Sequence, residues 1–280
     1  MQSNISGHIM RLERELGVEL VDRQTGQLTE EGKAVEARAR AVQAEMDAIS
    51  ADLTALHQQV RGSVRLGMIG TTSRWLVPLL LDALTAEHPD VRLVTTEATS
   101  SALGMLLANG AVDCAVVNVP LPHPELRARP LFDEDIVLLV ADDHPLADIA
   151  DLDIKDLEGF ELALPAPHTG FREELDLAAR HAGTSLSPKA EIDGLRLLLS
   201  VALRGYGPAL LPATTLEDPP PGFKTLSVAG LPLRHVGLAV RKRGRPSAPT
   251  SALIGVLESV VTTYVSAHEH LHEPGASAPA

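Results

Sequence analysis

The chain has 280 residues, of which 45% are hydrophobic and 2% aromatic, and its formal net charge is −13. This length leaves room for two or three compact units with aliphatic cores, and the acidic excess excludes broad attraction to nucleic acid, so any DNA contact has to be local. The single cysteine excludes an internal disulfide. Charged residues near the start and the lack of a long apolar run exclude a signal peptide and a membrane span, so we expect a cytoplasmic protein.

The chain opens with a predicted short helix followed by a small wing. Ser3 is placed to cap the helix and Gly17 to end it. Residues 19–23 and 27–28 flank Gly26 and predict two short strands that turn at the glycine. The apolar face of the helix consists of residues at spacings of four, three and four: Ile5, Ile9, Leu12 and Leu16.

Residues 29–61 predict a long helix with a coiled-coil seam. Thr29 is placed to cap the helix, and Arg61 and Gly62 to end it. No second such seam occurs in the sequence, so we expect two copies of the chain to associate through this segment. The seam alternates spacings of four and three: Val35, Ala39, Val42, Met46, Ile49, Leu53, Leu56 and Val60.

From residue 62 onward, short apolar strands alternate with amphipathic helices. Strands at 64–69, 91–95 and 112–118, with helices between them, predict a βαβαβ unit, and a second alternation predicts another α/β unit. We place the first unit at 62–141 and 238–268, because the helix after residue 250 is free to return to it. The second unit is placed at 142–237, and residues 269–280 are predicted to be a flexible tail without fold.

Several motifs carry a resemblance to a known family. Residues 2–20, QSNISGHIMRLERELGVEL, followed by LTEEG at 28–32, resemble the second half of the helix-turn-helix signature of LysR-type transcriptional regulators. The resemblance continues through the long helix, GSVRLG at 62–67, DHPLA at 143–147 and GYGPALLP at 205–212. It implies an α/β protein with a partial winged helix-turn-helix at 1–28, a linker and dimerisation helix at 29–61, and a two-subdomain periplasmic-binding-protein-like effector domain.

Two departures from the family pattern concern the DNA-binding domain. Family members carry further helices before the point where this sequence starts, and Gly7 stands where many members have an arginine that touches DNA.

On the strength of the shared motifs, a regulator of this family controlled by a small effector is our main interpretation. The alternatives are a truncated paralogue that senses ligand or dimerises without binding DNA, and a solute-binding protein of the same two-unit architecture.

The candidate DNA contacts lie on the first helix and the wing. In helix-turn-helix proteins, residues early in the recognition helix meet base edges while neighbouring residues hold phosphates. Arg23 and Gln27 on the wing are candidate phosphate contacts, with surface ion pairing as the alternative. The candidates on the helix, for which the alternative is capping or solvation, are Ser3, Asn4, Ser6 and His8.

The candidate effector contacts follow from the predicted sheet. Ligands of doubly wound sheets lie outside the carboxyl ends of the strands, where helix N-termini suit anions. We therefore expect a small anion bound between the two units, and helix capping is the alternative role for these side chains. The candidates from the first unit are Thr71, Thr72, Ser73, Thr99, Ser100 and Asn118, and those from the second are His168, Thr169 and Tyr206.

Other chemistry is not expected. We find no nucleophile with its base, no paired carboxylates and no cofactor fingerprint, so we expect neither an enzyme nor a cofactor. Cys114 lies in an apolar strand and is interpreted as a structural thiol. We expect no metal at His268, His270 and His272, and the basic run 241–245 is interpreted as a solvated turn.

The resemblance also implies partners. We expect operator DNA, a small effector and further copies of the chain, as dimers through the linker helix and tetramers through the effector domains. Closure of the crevice on the effector would then change the spacing of the DNA-binding heads on a bent operator.

Overall fold

The computed structural model describes residues 2–55, 60–216 and 218–275. Two α/β subdomains, each built on its own sheet, form the larger part of the molecule, and an N-terminal helical segment precedes them. The predicted fold class is confirmed.

The first segment contains a helix and a wing. Helix α1 spans Gln2–Leu16, and Gly17 follows it with a φ of 72°. Because α1 already includes Ser3, this residue is not the predicted cap. Val21 and Leu28 form an antiparallel bridge with Gly26 at a φ of 70° in the turn between them, as the wing prediction requires.

Helix α2, the predicted linker helix, spans Glu30–Ala55. Thr29 Oγ1 accepts a hydrogen bond from Gly32 N at 2.9 Å, which confirms the predicted cap. The predicted seam residue Leu56 lies outside the described residues. Ala41 of α2 approaches the first subdomain so closely that a Cβ on Gly110 would lie 3.1 Å from the Ala41 Cα. The apolar seam at residues 42, 46, 49 and 53 is instead exposed.

The first subdomain is a six-stranded sheet in the order β11-β4-β10-β3-β1-β2. Strands β1, β2 and β3 are parallel, with β1 in the middle, and the helices α3 and α4 connect them, as the βαβαβ prediction requires. Apolar side chains of α3, α4 and α7 cover the sheet and form one core. The bounds in chain order are β1 Gly62–Met68, α3 Gly70–Glu87, β2 Val91–Glu97, α4 Ser100–Ala108, β3 Cys114–Asn118, β4 Leu126–Glu134, β10 Arg234–Arg241, α7 Ala248–Ala267 and β11 Leu271–His272.

The second subdomain repeats this plan in a five-stranded sheet, in the order β7-β6-β8-β5-β9. Strand β6 pairs in parallel with β7 and β8, and β5 and β9 extend the sheet in the antiparallel sense. The bounds are β5 Ile136–Ala141, β6 Glu161–Pro165, α5 Gly170–His181, β7 Ser187–Ile192, α6 Leu195–Ala202, β8 Ala209–Pro212 and β9 Phe223–Ser227.

The boundaries between the subdomains differ from the predicted ones. Strand β5 was assigned to the first unit, which was to end at residue 141, but it pairs with β8 and β9 of the second sheet. The chain therefore crosses at Asp135, directly after β4, a strand that the sequence pattern does not predict. It returns before Arg234 rather than at residue 238, because all of β10 pairs with β3 and β4.

The C-terminal segment closes the first subdomain. By length and composition α7 is a candidate membrane span, but Leu253, Val256, Leu257 and Val261 pack into the first core, as in a core helix of a globular domain. The predicted flexible tail is wrong for residues 269–275, because β11 pairs with β4. Residues 276–280 lie outside the described residues.

Candidate functional site

The N-terminus of α3 lies at the carboxyl edge of the first sheet and has free donors. Its N-cap residue is Ile69, which offers no capping side chain, so the first N–H groups of this helix lack a side-chain acceptor in the described part of the chain. In the same turn, Thr72 is fully buried and its Oγ1 has no hydrogen-bond partner among the described residues. A buried hydroxyl without a partner is costly, which marks this turn as a place for a further group.

A buried ion pair lies beside this turn, at the two crossovers between the subdomains. Arg234 Nη1 lies 2.9 Å from Oε2 of Glu134, and the two side chains are 5% and 0% exposed. Glu134 ends β4 and Arg234 begins β10, so the pair joins the two connections between the subdomains. We call the region around these two connections, at Glu134 and Arg234, the hinge. Within the described residues, no hydrogen bond is made by Arg234 Nη2.

Two of the predicted effector residues bind this arginine. Arg234 Nη1 donates to Thr71 Oγ1 at 2.8 Å, and Nε donates to Asn118 Oδ1 at 3.0 Å. Asn118 N in turn donates to Ser100 Oγ at 3.0 Å. Residues at the ends of β1 and β3 therefore bind one guanidinium, and Ser100 after β2 binds one of these residues, Asn118, as expected for the carboxyl edge of such a sheet.

The second sheet is tied to the same pair. Thr214 follows β8, and both its N and its Oγ1 donate to Glu134 Oε1, at 2.7 and 2.5 Å. The next residue, Thr215, is buried, and its Oγ1 has no partner in the described structure. The hinge therefore carries a hydrogen-bonded network that spans both subdomains.

The remaining candidates at helix N-termini act as caps. Thr99 Oγ1 accepts from Ala102 N at 3.4 Å and caps α4, and Thr169 Oγ1 accepts from Arg172 N at 3.3 Å and caps α5. Ser73 Oγ donates to Glu97 Oε2 at 3.1 Å. His168 is exposed, and its Nε2 lies 3.7 Å from Asp193 Oδ2. The capping alternative therefore applies to Thr99 and Thr169, which remain at the crevice edges of their sheets.

Tyr206 is not brought to this edge. It follows α6 and precedes β8, at the amino end of that strand. Its neighbour Gly207 would bring a Cβ to 3.2 Å from Glu161 O, at the start of β6. The ends of β6 and β8 that face the crevice are the opposite ones, so Tyr206 lies at the wrong edge of the second sheet.

The two walls of the crevice are linked by charged side chains that sequence reasoning missed. Glu97 of the first subdomain pairs with Arg196 of the second, and Arg74 Nη1 donates to Thr215 O at 3.0 Å. Glu174 on α5 is accessible to solvent, yet desolvation by nearby protein atoms raises its pKa, while Arg234 and His235 oppose the rise.

The missed residues left a weak signal in the sequence. Glu134 stands between Phe132 and Ile136, and Arg234 directly follows Leu233. Charges that interrupt apolar runs are often buried with a partner. The pattern cannot name the partner, because the two residues are 100 positions apart.

The candidate DNA contacts lie on α1 and the wing. The side chains of Ser3 and Asn4 lie outside what the structure describes, whereas Ser6 and His8 are exposed. Arg23 is 69% exposed and lies 3.9 Å from Glu13 Oε2, so it stays accessible to a phosphate. Gln27 is also exposed.

Cys114 is fully buried in β3. Burial raises the pKa of its thiol to about 12, and Asp113 adds to the rise, while Arg241 opposes it. A thiol of this kind is inert because the thiolate is the reactive form.

Two of the three histidines near the C-terminus bind the carboxylate of Asp135 at the hinge. His270 Nδ1 lies 3.0 Å from Asp135 Oδ2, and His272 Nε2 lies 2.8 Å from Oδ1 of the same residue. Across residues 2–55, 60–216 and 218–275, no group of three or more side chains is arranged to hold a metal ion.

A separate cleft of about 770 Å³ lies between the linker helix and the first subdomain, far from the crevice. Two of the arginines that line it, Arg65 and Arg241, bind other groups of the chain. Arg65 pairs with Asp113 at 2.7 Å, and Arg241 donates to the carbonyl oxygens of Leu107 and Val112.

Comparison with known proteins identifies relatives along the whole chain. The family model described as the LysR substrate binding domain matches residues 57–262. A probable hydrogen peroxide-inducible genes activator of Streptomyces viridosporus is 28% identical over 93% of this chain and 86% of its own length. The DNA-binding transcriptional dual regulator OxyR of Escherichia coli is 26% identical, over 95% of this chain and 88% of its own.

The fold has counterparts among solved structures. Full-length OxyR from Pseudomonas aeruginosa, with a cysteine replaced by aspartate, superposes with a TM-score of 0.73 at 25% identity. The superposition covers 93% of this chain and 85% of the other. The likeness therefore includes the N-terminal segment as well as the two subdomains.

Proposed function

The chain belongs to the family of LysR-type transcriptional regulators, and from that membership we propose that a small anion bound in the crevice controls its binding to operator DNA. The observation that carries the proposal is the arrangement at the hinge. There, an uncapped helix N-terminus and the unpartnered, buried Thr72 hydroxyl lie next to a buried arginine that binds Thr71 and Asn118.

The effector site is proposed at the carboxyl edges of the two sheets. On the first, Thr71, Thr72 and Ser73 with Thr99, Ser100 and Asn118 supply hydroxyl and amide groups around Arg234. On the second, Thr169 and His168 stand at the start of α5, and Tyr206 is left out. Two arginines, Arg196 and Arg234, and a helix N-terminus favour a negatively charged ligand.

Thermal unfolding with and without small carboxylates tests the site. A ligand at about one hundred times its dissociation constant stabilises the native state by about 2.7 kcal/mol, which a shift in Tm reports. We expect Thr72→Val to abolish the shift and to raise the Tm of the free protein, because the orphan hydroxyl is removed. Thr85→Val on the exposed face of the same helix is the control. Equal shifts in all three proteins would reject the site.

The DNA-binding surface is proposed on α1 and the wing. Ser6 and His8 are exposed on the helix, and Ser3 and Asn4 precede them, while Arg23 and Gln27 flank the helix from the wing. In anisotropy titrations with the DNA upstream of its gene, we expect His8→Ala to reduce discrimination between sequences. Arg23→Gln should weaken binding to every sequence and lower the salt slope by about 1. Identical titrations for wild type and both variants would contradict the assignment.

Self-association is proposed through α2. Its seam is exposed along one face, while Ala41 lies close to Gly110 of the first subdomain. A dimer formed through this seam would place two DNA-binding segments together, and tetramers would form through the effector domains. We place the regulator in the cytoplasm with its DNA, and we propose no catalytic activity.

A thiol-based peroxide response is the second candidate, because the relatives are named after hydrogen peroxide. We propose that this chain does not use it, since its only cysteine is Cys114, which is buried and has a raised pKa. Thiols that respond to peroxide are accessible and have a low pKa. The intact mass after peroxide treatment of the native protein should show no oxidised Cys114. Oxidation of Cys114 at low peroxide excess would reinstate the candidate.

A further inference from the structure

Glu97 places a carboxylate where the proposed effector anion would bind. It ends β2, and its Oε2 accepts a hydrogen bond from Ser73 Oγ at 3.1 Å. A Cβ on Gly70, the first residue of α3, would lie 2.8 Å from Glu97 Oε1. The carboxylate therefore lies directly against the first turn of α3. The N–H groups of that turn have no side-chain cap and attract negative charge.

The same carboxylate reaches across the crevice. Glu97 Oε1 pairs with Nη2 of Arg196, the second residue of α6 in the other subdomain. Arg196 is 75% exposed, and across the described residues this ion pair is its only hydrogen-bonded contact with a side chain. Arg74 bonds Thr215 O beside it. Glu97 thus connects the N-terminus of α3 with the opposite wall.

We propose that Glu97 is an internal anion that fills the effector subsite and latches the crevice through Arg196, so that an effector has to displace it. The inference rests on the proposed effector site and adds how that site is regulated. A ligand that replaces Glu97 has to offer one anionic group to Ser73 and the first turn of α3. To keep the crevice closed, the ligand also has to offer a second anionic group to Arg196. The ligand class is therefore a compact dianion.

The strength of the latch suits such an exchange. Both partners are accessible, with 40% of the Glu97 side chain and 75% of the Arg196 side chain exposed. Ion pairs of this exposure shift an equilibrium by about fivefold at most, and salt weakens them. The latch therefore biases the crevice towards closure without preventing a ligand from taking its place.

The ligand-free test measures the crevice directly. Thr85 on α3 and Arg180 on α5 are exposed and are replaced by spin-labelled cysteines in the full chain, while buried Cys114 stays unlabelled. Pulsed electron resonance then gives the distance between the subdomains. We expect Arg196→Gln and Glu97→Gln each to raise the long-distance population about fivefold, and the double variant to add nothing further. Arg204→Gln, at an exposed arginine two residues beyond the C-terminal end of α6, should have no effect. An unchanged distribution in Arg196→Gln would overturn the latch.

The ligand test uses malonate, acetate and inorganic sulfate in calorimetry. Because Glu97 competes with the ligand, we expect Glu97→Gln to bind malonate several-fold more tightly than the wild type. Arg196→Gln should lose the preference for malonate over acetate. Weaker malonate binding by Glu97→Gln would overturn displacement and make Glu97 a ligand contact.

The two proposals fail in different ways. Absence of binding by every probe to the wild type and to Glu97→Gln, together with no effect of Thr72→Val, would reject the effector site and the displacement. The distance measurement needs no ligand, so it decides the latch in either case.

Discussion

The two subdomains and the N-terminal segment distribute their apolar side chains in opposite ways. In the subdomains, Leu, Val and Ile residues from sheets and helices fill continuous cores. In residues 2–55, Leu20 is buried, whereas many large apolar side chains stay outside. The exposed ones are Met10, Leu12, Leu16, Val18, Leu28, Val42, Met46, Ile49 and Leu53. The subdomains are stabilised by contacts within one chain, whereas the N-terminal segment presents an apolar surface of the kind that other protein surfaces cover.

Polar interactions divide in the same way. The hinge between the subdomains contains the buried ion pair of Glu134 and Arg234. Both carboxylate oxygens of Glu134 are hydrogen-bonded, one to Arg234 and the other to Thr214. In the N-terminal segment, the carboxylate of Glu13 joins the helix to the wing near the surface. Substitutions at the hinge should therefore reduce stability more than substitutions at the joint between α1 and the wing.

The largest effect is expected at the hinge. Glu134→Gln keeps the shape of the side chain but leaves the charge of buried Arg234 without a partner. Breaking one side of a buried ion pair costs about 3–5 kcal/mol. Denaturant unfolding should report this loss, and Glu87→Gln, an exposed residue at the end of α3, should change stability by less than about 0.5 kcal/mol. Similar unfolding curves for both variants would show that the hinge pair does not stabilise the subdomains.

A change in the linker seam should act on assembly rather than on folding. Met46 and Ile49 are 58% and 50% exposed, so the double change Met46→Lys, Ile49→Lys removes no contact within one chain. Burial of two such side chains at a helix pair contributes about 3 kcal/mol, or about a hundredfold in the dissociation constant. Sedimentation velocity should show smaller particles with unchanged unfolding of the subdomains.

Its control is Glu36→Lys with Arg40→Glu, which swaps an exposed ion pair on the same helix. That variant should sediment like the wild type. A seam variant with the same mass in solution as the wild type would remove α2 from the assembly.

The parts of the fold that the sequence predicted are those with local periodicity. The βαβαβ pattern of each subdomain, the wing and the capped linker helix depend on residues close together in the chain. Strand β4 was not predicted because Arg127, Arg129 and Pro130 interrupt its apolar pattern. Strand β11 was not predicted because it has two residues and is a strand only through its pairing with β4, which is far away in the sequence.

The same distinction applies to the candidate site. Hydroxyl groups after the strands were predicted because their place follows from the order of elements. The bonds from Arg234 to Thr71 and Glu134 span 163 and 100 residues, and the pairing of Glu97 with Arg196 spans 99. Sequence spacing carries no information about such pairs. The order of elements also suggested Tyr206 as an effector contact. This residue precedes β8, so it lies at the amino edge of the second sheet and not at the carboxyl edge.

The smallest effect is expected at the joint between α1 and the wing, where a single carboxylate acts near the surface. Oε1 of Glu13 accepts hydrogen bonds from Leu20 N at 2.8 Å and Val21 N at 3.2 Å. The bond from Leu20 N, followed by that from Val21 N, holds the pKa of Glu13 below its usual value, with a further contribution from Arg23. Because this pKa is lower in the folded state, the stabilisation is present above the unfolded value and is lost as the pH falls through the lowered one.

The amide signals of Leu20 and Val21 should therefore titrate with a midpoint below that of a free glutamate. In Glu13→Gln they should lose this titration and exchange faster with solvent, while the subdomain amides stay unchanged. Glu15→Gln, which replaces the partner of exposed Arg11 on the same helix, is the matched control and should leave both amides as in the wild type. If Glu15→Gln loosened the wing as much as Glu13→Gln, the joint would depend on the charge of α1 as a whole. If only Glu13→Gln changed the Leu20 and Val21 amides, the wing would depend on one side chain, whereas the hinge depends on a network of hydrogen bonds.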